Sequence, residues 1–187
     1  MARPSQVIVL VEDNRHQQFV RRYLRRCGLE LHAIRFVPYP AGAGSGEQWV
    51  RERFAMEVDA CRRRRAHADT ALIVLIDADH LLVQERLAQL DRSLDGAQVD
   101  RVRQDAEQIA RLVPKRNIET WILCLNDAAV DEETDYKRTR NDWTTLIRSG
   151  IEKLYDWTRP NAQLPASSIS SLRLGIAELK RLHFRSR

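Results

Sequence analysis

Two aliphatic runs that each stop at carboxylates constrain this chain more than anything else in it. Val7-Ile8-Val9-Leu10-Val11 leads into Glu12-Asp13, and Ala71-Leu72-Ile73-Val74-Leu75-Ile76 leads into Asp77-Ala78-Asp79-His80. Continuous apolar runs of this length, rich in β-branched residues, are the pattern of strands buried on both faces, as in a parallel sheet. Ligands of open parallel sheets lie just beyond the carboxyl ends of the strands. If the two strands are neighbours, Glu12, Asp13, Asp77 and Asp79 converge on one edge. Such a cluster calls for a cation, and a hard divalent metal is the natural one.

The intervening segments complete a β-α-β-α-β order. A helix starts at Asn14 as cap and ends near Cys27-Gly28, with Phe19, Val20, Tyr23, Leu24 and Cys27 on one face. A second strand is expected over residues 31–39, then a glycine-rich loop at Gly42, Gly44 and Gly46, then a helix over 47–67. The third strand is expected over 70–76. A helical pattern from Leu81 breaks near Asp95-Gly96 and resumes through Val99, Val102, Ala106 and Ile109. A short fourth strand is expected at 112–114, with Asn117 capping the helix that follows. Two more helices are expected over 143–154 and 170–182. The fold class is therefore α/β, a mostly parallel, Rossmann-like sheet flanked by helices. Residues 1–125 form its α/β domain, and 126–187 a helical C-terminal extension packed on it.

With 43% hydrophobic and 30% charged residues, 187 residues suffice for a folded core and do not read as disordered. The net charge is +5, and only four of the 31 basic residues are lysines, leaving 27 arginines. Arginine grips phosphate bidentately, so nucleic acid is admitted as a partner. Cys27, Cys61 and Cys124 are scattered, as expected of reduced thiols, and form no zinc motif. No apolar run approaches the length of a membrane span, and the N-terminus has no signal-peptide core; a cytoplasmic location is expected.

In order and strand context the acidic residues resemble a TOPRIM domain, the metal-dependent catalytic fold of topoisomerases, primases, recombination factors and OLD-type nucleases. Glu12 matches the glutamate that ends the family's first strand, and Asp77 and Asp79 match its Asp-x-Asp. The family usually follows its glutamate with glycine, where this chain has Asp13. The stretch from Pro114 to Leu123 resembles the segment after the Asp-x-Asp strand in small bacterial TOPRIM-like proteins linked to OLD-type nucleases and mobile-element defence. The resemblance spans roughly residues 7–125. It implies Mg²⁺- or Mn²⁺-dependent phosphodiester hydrolysis, with DNA favoured over RNA, in phage defence or DNA processing. It also implies an ATPase partner.

Under that reading Glu12, Asp77 and Asp79 hold the ion, and Glu119 holds a second ion or acts as general base. Asp77 and Asp79 share a face if their strand runs through both. Lys115 or Arg116 stabilises charge on the phosphate. Arg62-Arg63-Arg64-Arg65 ends a helix, where cations offset the dipole, and is also a candidate nucleic-acid contact together with Arg116. Gly42-x-Gly44-x-Gly46 is a flexible connector or a phosphate cradle. His80 is a turn residue, a ligand or a proton shuttle, Trp121 is core, and residues 135–140 form a mixed-charge loop that is also a candidate substrate contact. Two other classes remain open. Val9 to Asn14 also resembles the start of a receiver domain with Asp77 as phospho-acceptor, although the lysine-proline pair of receivers is absent. A non-catalytic interaction subunit, self-associating or bound to an ATPase, would use the same fold without the metal.

Overall fold

A computed structural model describes residues 3–39, 45–65, 67–103 and 107–184. Four parallel strands form the sheet in the order β2-β1-β3-β4: β1 (Gln6–Val11), β2 (Ile34–Phe36), β3 (Thr70–Leu75) and β4 (Ile109–Leu112). The helices are α1 (Asn14–Arg26), α2 (Gly46–Arg65), α3 (Val83–Gly96), α4 (Ile118–Leu125), α5 (Trp143–Trp157) and α6 (Ser170–Arg181). The expected α/β class with a parallel sheet is what the chain adopts. The chain leaves β1 in one direction to β2 and reaches β3 on the other side. The switch point of the sheet therefore lies between the carboxyl ends of β1 and β3, where ligands collect in doubly wound folds.

The period-two alternation of the strands divides the core. Val7, Val9 and Val11, with Ala71, Ile73 and Leu75, face α1, α4, α5 and α6. Ile8 and Leu10, with Leu72, Val74 and Ile76, face α2 and α3. The register places Val11 opposite Leu75, so Glu12 and the Ile76-Asp77 turn emerge side by side.

Several expected boundaries move. Asp13, not Asn14, caps α1: its carboxylate accepts from the backbone N–H of Arg15 and His16 at 2.8 and 2.9 Å. Gly28 adopts φ +81° just beyond the helix, as its C′ position requires. The second strand shrinks to three residues, because 31–33 form a 3₁₀ turn instead. The renewed helix expected over 99–109 does not form in the described residues; Ile109 begins β4, which starts three residues before the expected 112–114 and shares only Leu112 with it. Apolar spacing there reflects strand burial, which a short helical period mimics. Ala106, Gly42 and Gly44 lie outside the described residues.

Two glycines are fixed by contact. A Cβ on Gly46 would stand 2.3 Å from the Glu12 carbonyl oxygen, so the start of α2 presses on the end of β1. A Cβ on Gly175 would stand 2.3 Å from Trp121 Cη2, which is how α6 closes over the buried indole. Trp121 is core, as expected, and its indole N–H donates to Ser171 Oγ at 2.7 Å.

Candidate metal centre

Glu12, His16 and Asp77 meet at the switch point, with one ligand atom of each lying within 4.8 Å of the other two. Glu12 is delivered by the end of β1 and Asp77 by the turn after β3. His16 sits in the first turn of α1, one turn beyond Glu12. The three are interlocked. The Asp77 backbone N–H donates to Glu12 Oε2 at 3.1 Å, and His16 Nε2 lies 3.0 Å from Asp77 Oδ1. On its other side, His16 Nδ1 lies 3.3 Å from Asp13 Oδ1. Both His16 and Asp77 are fully buried.

The electrostatics follow from that burial. Burial, then the nearby charge of Asp77, pushes the Glu12 carboxyl up to about 7, against the opposing pull of His16 and Lys137. Burial works against a charged His16, but the Asp77 carboxylate, with Asp13 and Glu12 behind it, lifts the imidazole to about 9. His16 is thus an imidazolium that donates to Asp77 at neutral pH. Asp13 is held below its ordinary value: burial opposes this, but His16 and the two backbone N–H groups prevail.

A second cation completes the balance. Lys137 Nζ lies 3.2 Å from Asp77 Oδ2 and 3.6 Å from Asp79 Oδ1. Burial opposes its charge, yet Asp77 and then Asp79 and Glu12 raise its pKa. Three contacts fix the loop that carries it. Asn117 Nδ2 donates to Asp135 Oδ1 at 2.9 Å, Lys115 Nζ pairs with Glu133 at 3.2 Å, and Glu132 accepts from the Ser171 backbone N–H at 2.8 Å. Asp135 Oδ1 also accepts from the Lys137 backbone N–H.

The remaining sequence candidates have other places. Asp79 does not continue a strand: β3 ends at Leu75, and Asp79 turns left-handed at φ +54°. The shared strand face expected for Asp77 and Asp79 is therefore corrected, since a tight turn has replaced the extended backbone it required. Asp79 instead meets Lys137 and, at 3.5 Å, Arg86. Arg86 is itself buried and also bonds Glu47, Gln89 and the Ala78 carbonyl. Glu119 is 1% exposed and ion-paired to Arg15, and it is not among the three converging ligands. Lys115 spends its charge on Glu133. Arg116 donates to the Asp79 carbonyl at 3.3 Å and contacts His80 Nδ1 at 2.6 Å, so both line the rim beside Asp79. Arg62 forks onto Glu107 and the carbonyls of Asp100 and Arg101, a structural clamp. Arg63 pairs with Asp59, while Arg64 and Arg65 are half-buried.

His16 is the site residue that reading the sequence missed, and Lys137 stands out there only as part of a loop that is a candidate substrate contact. His16 had a local signal, standing four residues after Glu12 and three after the cap Asp13. The pairing of Lys137 with Asp77 had no signal, because it depends on a loop folded back over sixty residues of chain.

The donor set fits a divalent ion. Two carboxylates converge, His16 would add an imidazole nitrogen on giving up its proton to the solvent, and burial with the Asp77 charge raises the Glu12 carboxyl to about 7, as expected of a site that a cation would relieve. No protein-family model, curated protein or solved structure matches this chain.

Proposed function

We propose that this chain is a metal-dependent phosphodiesterase that hydrolyses nucleic acid, DNA in preference to RNA, in phage defence or DNA processing with an ATPase partner. One observation carries the proposal: Glu12 and Asp77, drawn from strands 65 residues apart, bring their oxygens together with His16 at the sheet's switch point. These two residues are among the three, with Asp79, that match the TOPRIM motif. Glu12 and Asp77 would hold Mg²⁺ or Mn²⁺, with Asp79 in reach of the same rim. A bound ion would neutralise the non-bridging phosphate oxygens and activate water.

The chain's own residues supply the rest. His16 holds the Asp77 carboxylate in place through the 3.0 Å contact. Lys137 is the cation best placed to meet the charge that grows on a phosphate, because it already bridges Asp77 and Asp79. Arg116 can steer a phosphate toward the rim.

The test is cleavage of plasmid, single-stranded DNA and RNA with Mg²⁺, Mn²⁺ or EDTA, by wild type, Glu12→Gln and Asp77→Asn, with calorimetric titration of Mn²⁺. Metal-dependent cleavage that falls at least ~10²-fold in both variants is expected. Absence of divalent-ion binding by the folded wild type would overturn the proposal.

A second reading draws on Lys137. It contacts Asp77 as the receiver-domain lysine contacts its phosphoryl group, and the strand order is compatible with a receiver-like sheet. Incubation with a small acyl phosphate separates the two readings: stable phosphorylation of Asp77 would favour the receiver. The full burial of Asp77 stands against it.

A further inference from the structure

A groove of about 550 Å³ runs between the outer faces of α1 and α5, lined chiefly by Arg21, Arg22, Arg25, Arg26, Arg148 and Glu152. Five guanidinium groups face one carboxylate. Arg26 is paired with Glu152 at 2.6 Å and lies over the Tyr155 ring, while Arg25 reaches out of the groove to Glu30. Arg21 lies over the Phe36 ring, 4.9 Å from its centroid, and has no carboxylate within ion-pair distance among the described residues. Arg22 and Arg148 form no hydrogen bond or ion pair among them. Among the described residues these three guanidinium groups have no carboxylate in direct ion-pair contact, although the charge of Asp142 acts on Arg148 from farther off. Within α1, the pairs Arg21/Arg25 and Arg22/Arg26 stand four residues apart and repel. Nothing in the described fold relieves this in full.

The position of the groove is as informative as its charge. Asp13 and His16 sit at the head of α1, at the metal centre, and the arginines follow along the same helix. At 1.5 Å of rise per residue, Arg21 to Arg26 lie ~8–15 Å along the axis from His16. That span corresponds to about two to four nucleotides at 3.4 Å of rise each. Arg15, next to His16, lies over the ring of Trp143 at the head of α5, so the heads of the two helices that form the groove meet beside His16.

We infer that this groove holds the sugar-phosphate backbone of the nucleic acid whose phosphodiester reaches Glu12 and Asp77. Guanidinium forks match phosphate oxygens bidentately, and a row of them contacts the backbone without reading sequence. The inference rests on the phosphodiesterase reading for its substrate, but the groove can be tested without catalysis.

The experiment measures binding of fluorescent single-stranded DNA, duplex DNA and RNA in EDTA, at salt concentrations from 50 to 300 mM. It compares wild type with Arg22→Gln/Arg148→Gln, with Arg148→Gln alone and with Arg101→Gln, an exposed arginine paired with Asp95 outside the groove, as a control. The expected result is at least ~10-fold weaker binding by the double variant, with the salt slope reduced by about 2 and by about 1 in the single variant. Arg101→Gln should match wild type. Neither groove arginine forms an ion pair or hydrogen bond among the described residues, and the single variant keeps the test valid if the double one folds poorly. Wild-type binding that is undetectable, or unchanged in both groove variants, would overturn the inference. So would displacement by polyglutamate of a groove that ignores nucleic acid, which would point to an acidic protein. Groove-dependent binding without any cleavage would uphold the groove and count against the metal centre alone.

Discussion

His16 couples the candidate centre to pH. Its folded pKa, about 9, lies above its ordinary value of 6.5. The stability it contributes is fully present below the unfolded value and is lost as pH rises through about 9. Denaturant melts of wild type should therefore weaken between pH 6.5 and 9.5, and His16→Gln should flatten that dependence. Glu12 acts in the same sense at lower pH, being raised from 4.5 to about 7, so its contribution is lost as pH rises through 7. Its proton also competes with a cation. Mn²⁺ affinity should climb as pH rises through about 7, with proton release seen as a buffer-dependent heat, and Glu12→Gln should abolish both effects. Glu12 and Asp77 were legible in the sequence because an aliphatic strand that stops at a carboxylate announces its own position. The partnership of Asp77 with His16, 61 residues away, depends on how α1 packs, which no local pattern records. The left-handed turn at Asp79 was hidden for a similar reason: aspartate tolerates that conformation, so nothing in its neighbours betrays it.

At the level of elements, the 131–137 loop acts as a positioning device for Lys137. Asp135 ties the Lys137 backbone N–H to Asn117 at the head of α4, while Lys115 secures Glu133. Asp135→Ala should lower metal-dependent cleavage several-fold. Its stability cost should stay within ~1 kcal/mol, because the residue is exposed. Equal losses of activity and stability would make the loop merely structural. The expected helix-to-strand alternation was readable wherever burial was continuous over a whole strand, as in β1 and β3. It failed at β2 and β4, which have only three and four residues, too few for their period to separate strand from helix. The contact between Gly175 and Trp121 offers a cleaner energetic test. Gly175→Ala should destabilise by ~1–3 kcal/mol through overpacking against the indole, read as a lower melting temperature.

On the scale of the whole molecule, two cores share one sheet and the site lies at the boundary between them. Glu12 continues the β1 alternation on the α2 side, next to Gly46, while Asp77 turns toward α1 and His16. A change in either layer therefore reaches the same carboxylates. No described helix is long and apolar enough to cross a membrane. The sheet's outer edge at β4 is closed by α6: Glu178 accepts from the Arg111 backbone N–H at 3.0 Å, and Arg181 donates to the Ile109 carbonyl at 2.7 Å. Glu178→Ala/Arg181→Ala should leave those backbone groups open, and light scattering should then report self-association absent from wild type. At the opposite margin, β2 offers only three residues of backbone. Neither margin thus gives an incoming strand a useful template. Whatever docks on this protein must recognise the chemistry of its side chains, so its specificity can be rewritten by surface substitution without redesigning the sheet.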